Sequence, residues 1–191
     1  MFPAETFRDT LTRLVSVLTG LGIRFHLTGG VTTIAYGEPR MTQDVDVVID
    51  PKAAAHQLER LLTDLRAAGF LVEEAVARRA VSDGGMFQAL DLVESLKIDL
   101  YPREMIPGEL GRSVPLEVFA GLTLPVASLA DAAASKLVWV SKGSHKSRRD
   151  LRQLWQRATP EQRSLVERLA RDLGLEQLLT EVLGEADEIG P

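Results

Sequence analysis

The stretch "DVDVVID", residues 44–50, constrains this chain more than any other. Its valines and isoleucine predict a strand that is apolar on both faces except where two carboxylates interrupt it. Successive side chains of a strand point to opposite faces, so Asp44 and Asp46 share one face, about 7 Å apart along the chain. Two anionic groups so placed repel unless a cation sits between them. Magnesium suits them, because it takes carboxylate oxygens and keeps further positions for substrate phosphates. The simpler alternative is a solvent-facing edge strand with two ordinary surface acids.

The preceding residues favour the cation. "IRFHLTGG" reads as a short strand running into a glycine turn, and "VTTIAYG" as a short helix. Gly29 and Gly30 therefore fall at a strand-to-helix turn, where unpaired backbone N–H groups favour a phosphate and absent side chains permit close approach. A tight turn with positive φ makes an equal demand for glycine. A third acid would complete the site, and Asp91 in "LDL" and Asp99 in "IDL" both lie in apolar strands, where an unpaired carboxylate is costly. Asp99 is favoured by its place near a strand end beside Tyr101 and Pro102. Asp91 reads as an exposed mid-strand position on a half-buried hairpin.

The chain as a whole reads as α+β: a mixed sheet flanked by helices over residues 1–127, then a C-terminal helical bundle over 128–191. Helices are expected over 4–21 and 52–68, the second opened by Asp50 as N-cap and Pro51 in its first turn. A strand is expected near 70–75. "MFQALDLV" pairs with "LKIDLYP" through a turn at Glu94 and Ser95, and "VPLEVFAG" with "LTLPVAS". Helices follow over 129–142, 147–158, 161–172 and 175–183, and the acidic end, Glu181 to Pro191, reads as frayed.

The 191 residues contain no cysteine, which excludes disulfides, thiolate metal sites and a cysteine nucleophile. No stretch approaches the ~20 apolar residues of a membrane span, and the expected location is the cytoplasm. A net charge of −5 argues against coating nucleic acid by bulk attraction. Its distribution is uneven, however. Lys136, Lys142, Lys146, Arg148, Arg149, Arg152 and Arg157 face one acid, Asp150, so residues 136–157 carry +6 and the rest of the chain −11. A polyanion such as RNA is thus expected on the segment from Lys142 to Arg152.

Taken together, "GG", thirteen intervening residues, "DVD" and a later "IDL" resemble the signature of the DNA polymerase beta-like nucleotidyltransferase superfamily over roughly residues 25–102. Within it, "YGEPRMTQDVDVVI", Lys136 and "RRDL" at 148–151 look like the AbiEii-type nucleotidyltransferases associated with type IV toxin–antitoxin pairs. The resemblance implies that Asp44 and Asp46 hold two Mg²⁺ ions and that Asp99 shares one and helps activate an acceptor hydroxyl. It implies that Gly29 and Gly30 hold the β- and γ-phosphates of a nucleoside triphosphate, with Arg40 and Thr42 positioning phosphate or bracing the strand entrance. Lys136 matches a lysine presented from a helix toward the triphosphate, and Asp150 matches the acid of the family's Arg-Asp-Leu segment. A surface lysine and a local helical ion pair are the plainer alternatives for these two. The chain is shorter than many such members, which bears on any acceptor site in a larger C-terminal domain.

The implied activity is transfer of a nucleotide to tRNA or another RNA, with a cognate antitoxin as a further partner. Transfer to an aminoglycoside-like small molecule is the alternative enzyme, and a non-catalytic nucleotide-binding module the alternative of another class. His26 reads as a packed residue, His56 as a surface position and His145 as part of a basic turn; Trp139 and Trp155 read as core anchors between helices.

Overall fold

The computed structural model describes residues 4–36 and 44–185. In chain order these form α1 (Ala4–Gly20), β1 (Phe25–Thr28), α2 (Gly30–Tyr36), β2 (Asp44–Ile49), α3 (Pro51–His56), α4 (Leu58–Ala67), β3 (Phe70–Val72), α5 (Glu74–Asp83), β4 (Phe87–Asp91) and β5 (Lys97–Tyr101). A 3₁₀ turn (Glu109–Arg112) precedes β6 (Val114–Phe119) and β7 (Leu122–Val126), and α6 (Leu129–Ser141), α7 (His145–Arg157), α8 (Pro160–Asp172) and α9 (Glu176–Gly184) follow. Among the described residues no helix is long and apolar enough to cross a membrane.

One mixed sheet takes the order β3-β4-β5-β2-β1-β7-β6. The pairs β2 with β5 and β1 with β7 are parallel, and the other neighbours antiparallel. β2 is the middle strand, which is why its sequence is apolar on both faces: Val45, Val47, Val48 and Ile49 are all buried. That position removes the edge-strand alternative. Phe70, Phe87, Ile98 and Leu100 from the neighbouring strands and Leu61 and Leu65 from α4 extend the same core.

Contacts divide the chain into two units. One takes in the chain through Val31 and the strands up to Ala127; the other joins Thr32 to Tyr36 of α2 with the helices from Ser128 onward. In the second, α6 packs on α7, α8 and α9. Three of its helices, α6, α7 and α8, start at side-chain caps: Ser128, Ser144, and Thr159 with Gln162 in a capping box inside which Pro160 presets the first turn.

Local departures from the expected elements have visible causes. Asp50 does cap a helix, accepting from the amides of Lys52 and Ala53, but the expected helix over 52–68 is broken at Gln57, whose φ of −104° leaves the helical range. The strand near 70–75 stops at Val72, and the unforeseen α5 uses the alanine- and arginine-rich "EAVARRAVSD" until Gly84 closes it with φ 67°. α9 continues to Gly184 instead of fraying from Glu181; residues 186–191 lie outside the described part.

Asp91 is not an exposed hairpin position. It is fully buried, and its carboxylate accepts from Thr10 at 2.5 Å, from Arg13, and from the amides of Val93 and Glu94 in the turn it opens. Burial opposes its ionisation, but the bonds from Thr10, the Val93 amide, Arg13 and the Glu94 amide outweigh it and hold the carboxyl below the usual carboxylate range. This group ties α1 to the β4–β5 turn. Its stabilisation is therefore complete above the ordinary carboxylate range and is lost as pH falls through the lowered value. Asp91→Asn should cost about 2 kcal/mol at neutral pH and flatten part of the acid limb of stability. Urea denaturation of both proteins from pH 7 to pH 3 checks this, and parallel curves would contradict it.

Candidate active site

Sheet register assembles the acids. Asp46 stands opposite Asp99 across the parallel β2–β5 pair, Thr28 opposite Asp46 on β1, and Gln88 opposite Asp99 on β4. One row across four strands thus reads Gln88, Asp99, Asp46, Thr28. Neighbouring strands are about 4.8 Å apart, so Asp46 and Asp99 are adjacent side chains on one face. Asp44 lies one row back, exposed, opposite Lys97.

The surroundings of Asp46 explain the glycine pair. Gly29 has φ +60°, and a Cβ placed on it would lie 1.9 Å from Oδ2 of Asp46. The turn therefore demands glycine twice over, for its backbone conformation and for the carboxylate that fills the missing side chain's place. The backbone N–H of Gly30 donates to Asp46, and Oη of Tyr101 donates to its Oδ1 at 3.1 Å. Burial raises the Asp46 carboxyl above its ordinary value, the charge of Asp44 adds to this, and that of Asp99 adds less; the Tyr101 bond works against them. Asp99 is raised too, by burial first and by Asp44, against a 2.9 Å bond from Nε2 of Gln88 and the nearby charge of Lys97. Burial and the charges of Asp46 and Asp99 push the Tyr101 phenol well above its usual range. Tyr101 and Gln88 are site residues that the sequence signature missed. Strand alternation carried the signal for Tyr101, which lies two positions beyond Asp99.

Among the described residues no three His, Asp or Glu side chains form a ready cage for a metal ion. The donor set still fits magnesium, which is commonly held by one or two carboxylates with substrate oxygens and water completing its shell. Asp46 beside Asp99, both raised by burial and by the charge of Asp44, is an arrangement that a cation relieves.

The remaining expected residues fall elsewhere. Arg40 and Thr42 lie outside the described residues. In the helical unit Nζ of Lys136 on α6 is 2.8 Å from Oδ2 of Asp150 on α7, both side chains buried. Lys136 is therefore not a surface lysine, and Asp150 reaches across to another helix. His145 is the first residue of α7, and Lys146 and Arg149 are exposed on it. Arg148 pairs with Glu181 at 2.9 Å and with Glu185, and Arg152 with Glu185 at 2.6 Å, so part of the basic segment is neutralised from α9 and the residue after it. Trp139 is 37 % exposed beneath Lys142, and Trp155 lies half-buried beneath Arg163, so neither is the core anchor expected. His26 is buried, with Nδ1 2.8 Å from Ser113 Oγ and Nε2 3.4 Å from Glu109.

In metal-free protein, stability tied to the raised Asp46 carboxyl is present below the ordinary carboxylate range and is lost as pH rises through the raised value. Asp46→Asn should accordingly melt higher than wild type at pH 7, with the difference closing near pH 4. Scanning calorimetry with chelator present at both pH values measures it; a lower melting temperature at pH 7 would count against the charge crowding described.

The family described as nucleotidyl transferase AbiEii toxin, type IV TA system, matches residues 12–180. No curated protein matches the chain. Among solved structures, the antibiotic-resistance factor ANT(2'')-Ia superposes with a TM-score of 0.61 at 14% identity, covering 92% of this chain and 98% of that one. The lincosamide antibiotic adenylyltransferase LnuA, solved with lincomycin bound, gives 0.52 at 12% identity over 82% and 98%. An antigenic nucleotidyltransferase-like protein from Paracoccidioides brasiliensis gives 0.55 at 16% identity over 94% and 93%. At such identities the likeness is one of fold.

Proposed function

The chain belongs to the AbiEii nucleotidyltransferase family, and on that premise we propose that it transfers a nucleotide from a nucleoside triphosphate to RNA, tRNA foremost, with Mg²⁺ held by Asp44, Asp46 and Asp99. The observation that carries this reading is the row in which Asp46 and Asp99 stand side by side next to the Gly29–Gly30 turn. When bound, two magnesium ions supply charge stabilisation at the attacking and leaving oxygens. An acceptor hydroxyl oxygen attacks the α-phosphorus, the bond to the bridging oxygen breaks, and pyrophosphate leaves. Asp99, whose carboxyl is raised, is suited to take the hydroxyl proton. The Gly29–Gly30 turn orients Asp46, and the resemblance assigns it the β- and γ-phosphates. Arg40, Thr42 and Lys136 keep the phosphate-contacting roles that the resemblance implies, with Asp150 holding the Lys136 ammonium. A protein antitoxin is the expected partner of a family so described.

A small-molecule acceptor is the second reading. It is favoured by the neighbours named for antibiotic adenylylation, one of them solved with adenylyl-2''-tobramycin, and by the ion pairs that consume Arg148 and Arg152. Incubation with Mg²⁺ and each labelled triphosphate, with total tRNA or with an aminoglycoside and a lincosamide, distinguishes the two. Label should enter tRNA, and Asp46→Asn should lower the rate at least about 100-fold, the loss expected for several kcal/mol of charge stabilisation. Label in the antibiotic alone would move the assignment to the second reading, and near-wild-type transfer by the variant would remove Asp46 from the chemistry.

The exposed Lys146 and Arg149 give a further check on the acceptor. RNA affinity should fall with salt by about 0.7 log units per log unit for each single-strand phosphate contact, and K146E/R149E should flatten that slope while leaving triphosphate affinity unchanged. Filter binding over a salt series reads both; an unchanged slope would make this face plain solvated surface.

A further inference from the structure

Asp91 at the end of β4 is held differently from the half-buried Asp46 of β2 and Asp99 of β5. Asp91, which ties elements together, is gripped by the guanidinium of Arg13 as well as by Thr10 and two amides. Asp46 and Asp99, which stand in the row, are instead bonded by neutral donors: the phenol of Tyr101 at 3.1 Å, the Gly30 amide, and the carboxamide of Gln88 at 2.9 Å. The difference is chemically pointed. An arginine at either acid would supply the positive charge itself and compete with a cation, whereas a hydroxyl or an amide aims one oxygen and leaves the negative charge in place. Each carboxylate oxygen has two lone pairs, so a donor on one oxygen still leaves that group free to coordinate.

Register places the donors well for this. Gln88 is the direct cross-strand partner of Asp99, and Tyr101, two residues beyond Asp99 on the same face, reaches diagonally back over β2 to Asp46. Lys97 acts on Asp99 only through its charge, from an exposed position opposite Asp44. The bonds also work against rotation. Adjacent like charges turn away from each other about χ1 and χ2, and a fixed partner on each carboxylate stops them.

We infer that Tyr101 and Gln88 are positioning residues that hold the Asp46 and Asp99 carboxylates, charge intact, in the orientation that takes up a divalent cation. This rests on the cation reading of the row. Each acts through the acid it orients. Partners of this kind behind a metal ligand are typically worth 10- to 100-fold in metal affinity or activity.

The test is a Mn²⁺ titration of the full chain without nucleotide, followed by loss of the free-ion electron paramagnetic resonance signal, with melting temperatures recorded for every variant. Tyr101→Phe and Gln88→Leu should each weaken Mn²⁺ binding about tenfold. Gln88→Lys should melt at or above wild type, because it pairs with Asp99, yet bind Mn²⁺ more weakly than Gln88→Leu. A merely structural Gln88 would have metal binding follow stability, in the opposite order. Gln88 is exposed, so its variants report even where Tyr101→Phe fails to fold. Affinities within twofold of wild type in Tyr101→Phe and Gln88→Leu, or Gln88→Lys binding as tightly as Gln88→Leu, would overturn the inference while leaving the cation reading intact. Wild-type protein lacking any Mn²⁺ binding that Asp46→Asn abolishes would remove both.

Discussion

Everything at the candidate site depends on the parallel pairing of β2 with β5, which forces Asp46 and Asp99 into adjacent places. Two unit charges at the spacing of neighbouring strands repel by roughly 3 kcal/mol at the effective dielectric of a protein surface. A fold that accepts such a cost at the centre of its sheet needs compensation nearby. Here it comes from a glycine whose absent side chain makes room for one carboxylate, an amide at the helix start, a phenol and a carboxamide. The buried valines beneath keep the strand itself from yielding. The helix start, the glycine turn and the neighbouring strands are thus arranged around one unfavourable contact.

The helical unit treats its charges differently. Lys136 and Asp150 neutralise each other between α6 and α7, and Arg148 and Arg152 are matched by Glu181 and Glu185. A buried ion pair adds little net stability, since desolvation offsets its attraction, but removing one partner leaves the other stranded. Lys136 is consequently fixed in position as well as charged. The surface pairs around Glu185 weaken with salt and compete with any anion that approaches α7.

Much of this was legible in the sequence because it rests on short-range pattern. The strand at 44–49, the cap at Asp50 and the helices after Ser128 all follow from residue type and spacing. The family, the fold and nucleotidyl transfer were legible from the combination of "GG", "DVD" and "IDL". What escaped depended on tertiary partners. Nothing in "LDL" says that Arg13 and Thr10, some eighty residues earlier, bury Asp91 as a structural acid. Nothing near Gln88 announces its carboxylate partner, and nothing near Tyr101 announces Asp46, until register is known. The tryptophans looked like core because they are large, but each sits under a cation near the surface. The break at Gln57 carries no glycine or proline to mark it.

The row of acids also has a history in time. Asp46 and the tyrosine that orients it are 55 residues apart, and between them the chain must complete α3, α4, β3, α5 and β4 before β5 can dock. Contacts this distant close slowly, because loop entropy is lost before the pairing offsets it. During synthesis the glycine turn and the first two acids leave the ribosome well ahead of the third. A nascent chain therefore carries half a site for several seconds at ordinary elongation rates of about 5–20 residues per second. The row of acids becomes complete only once β5 has docked.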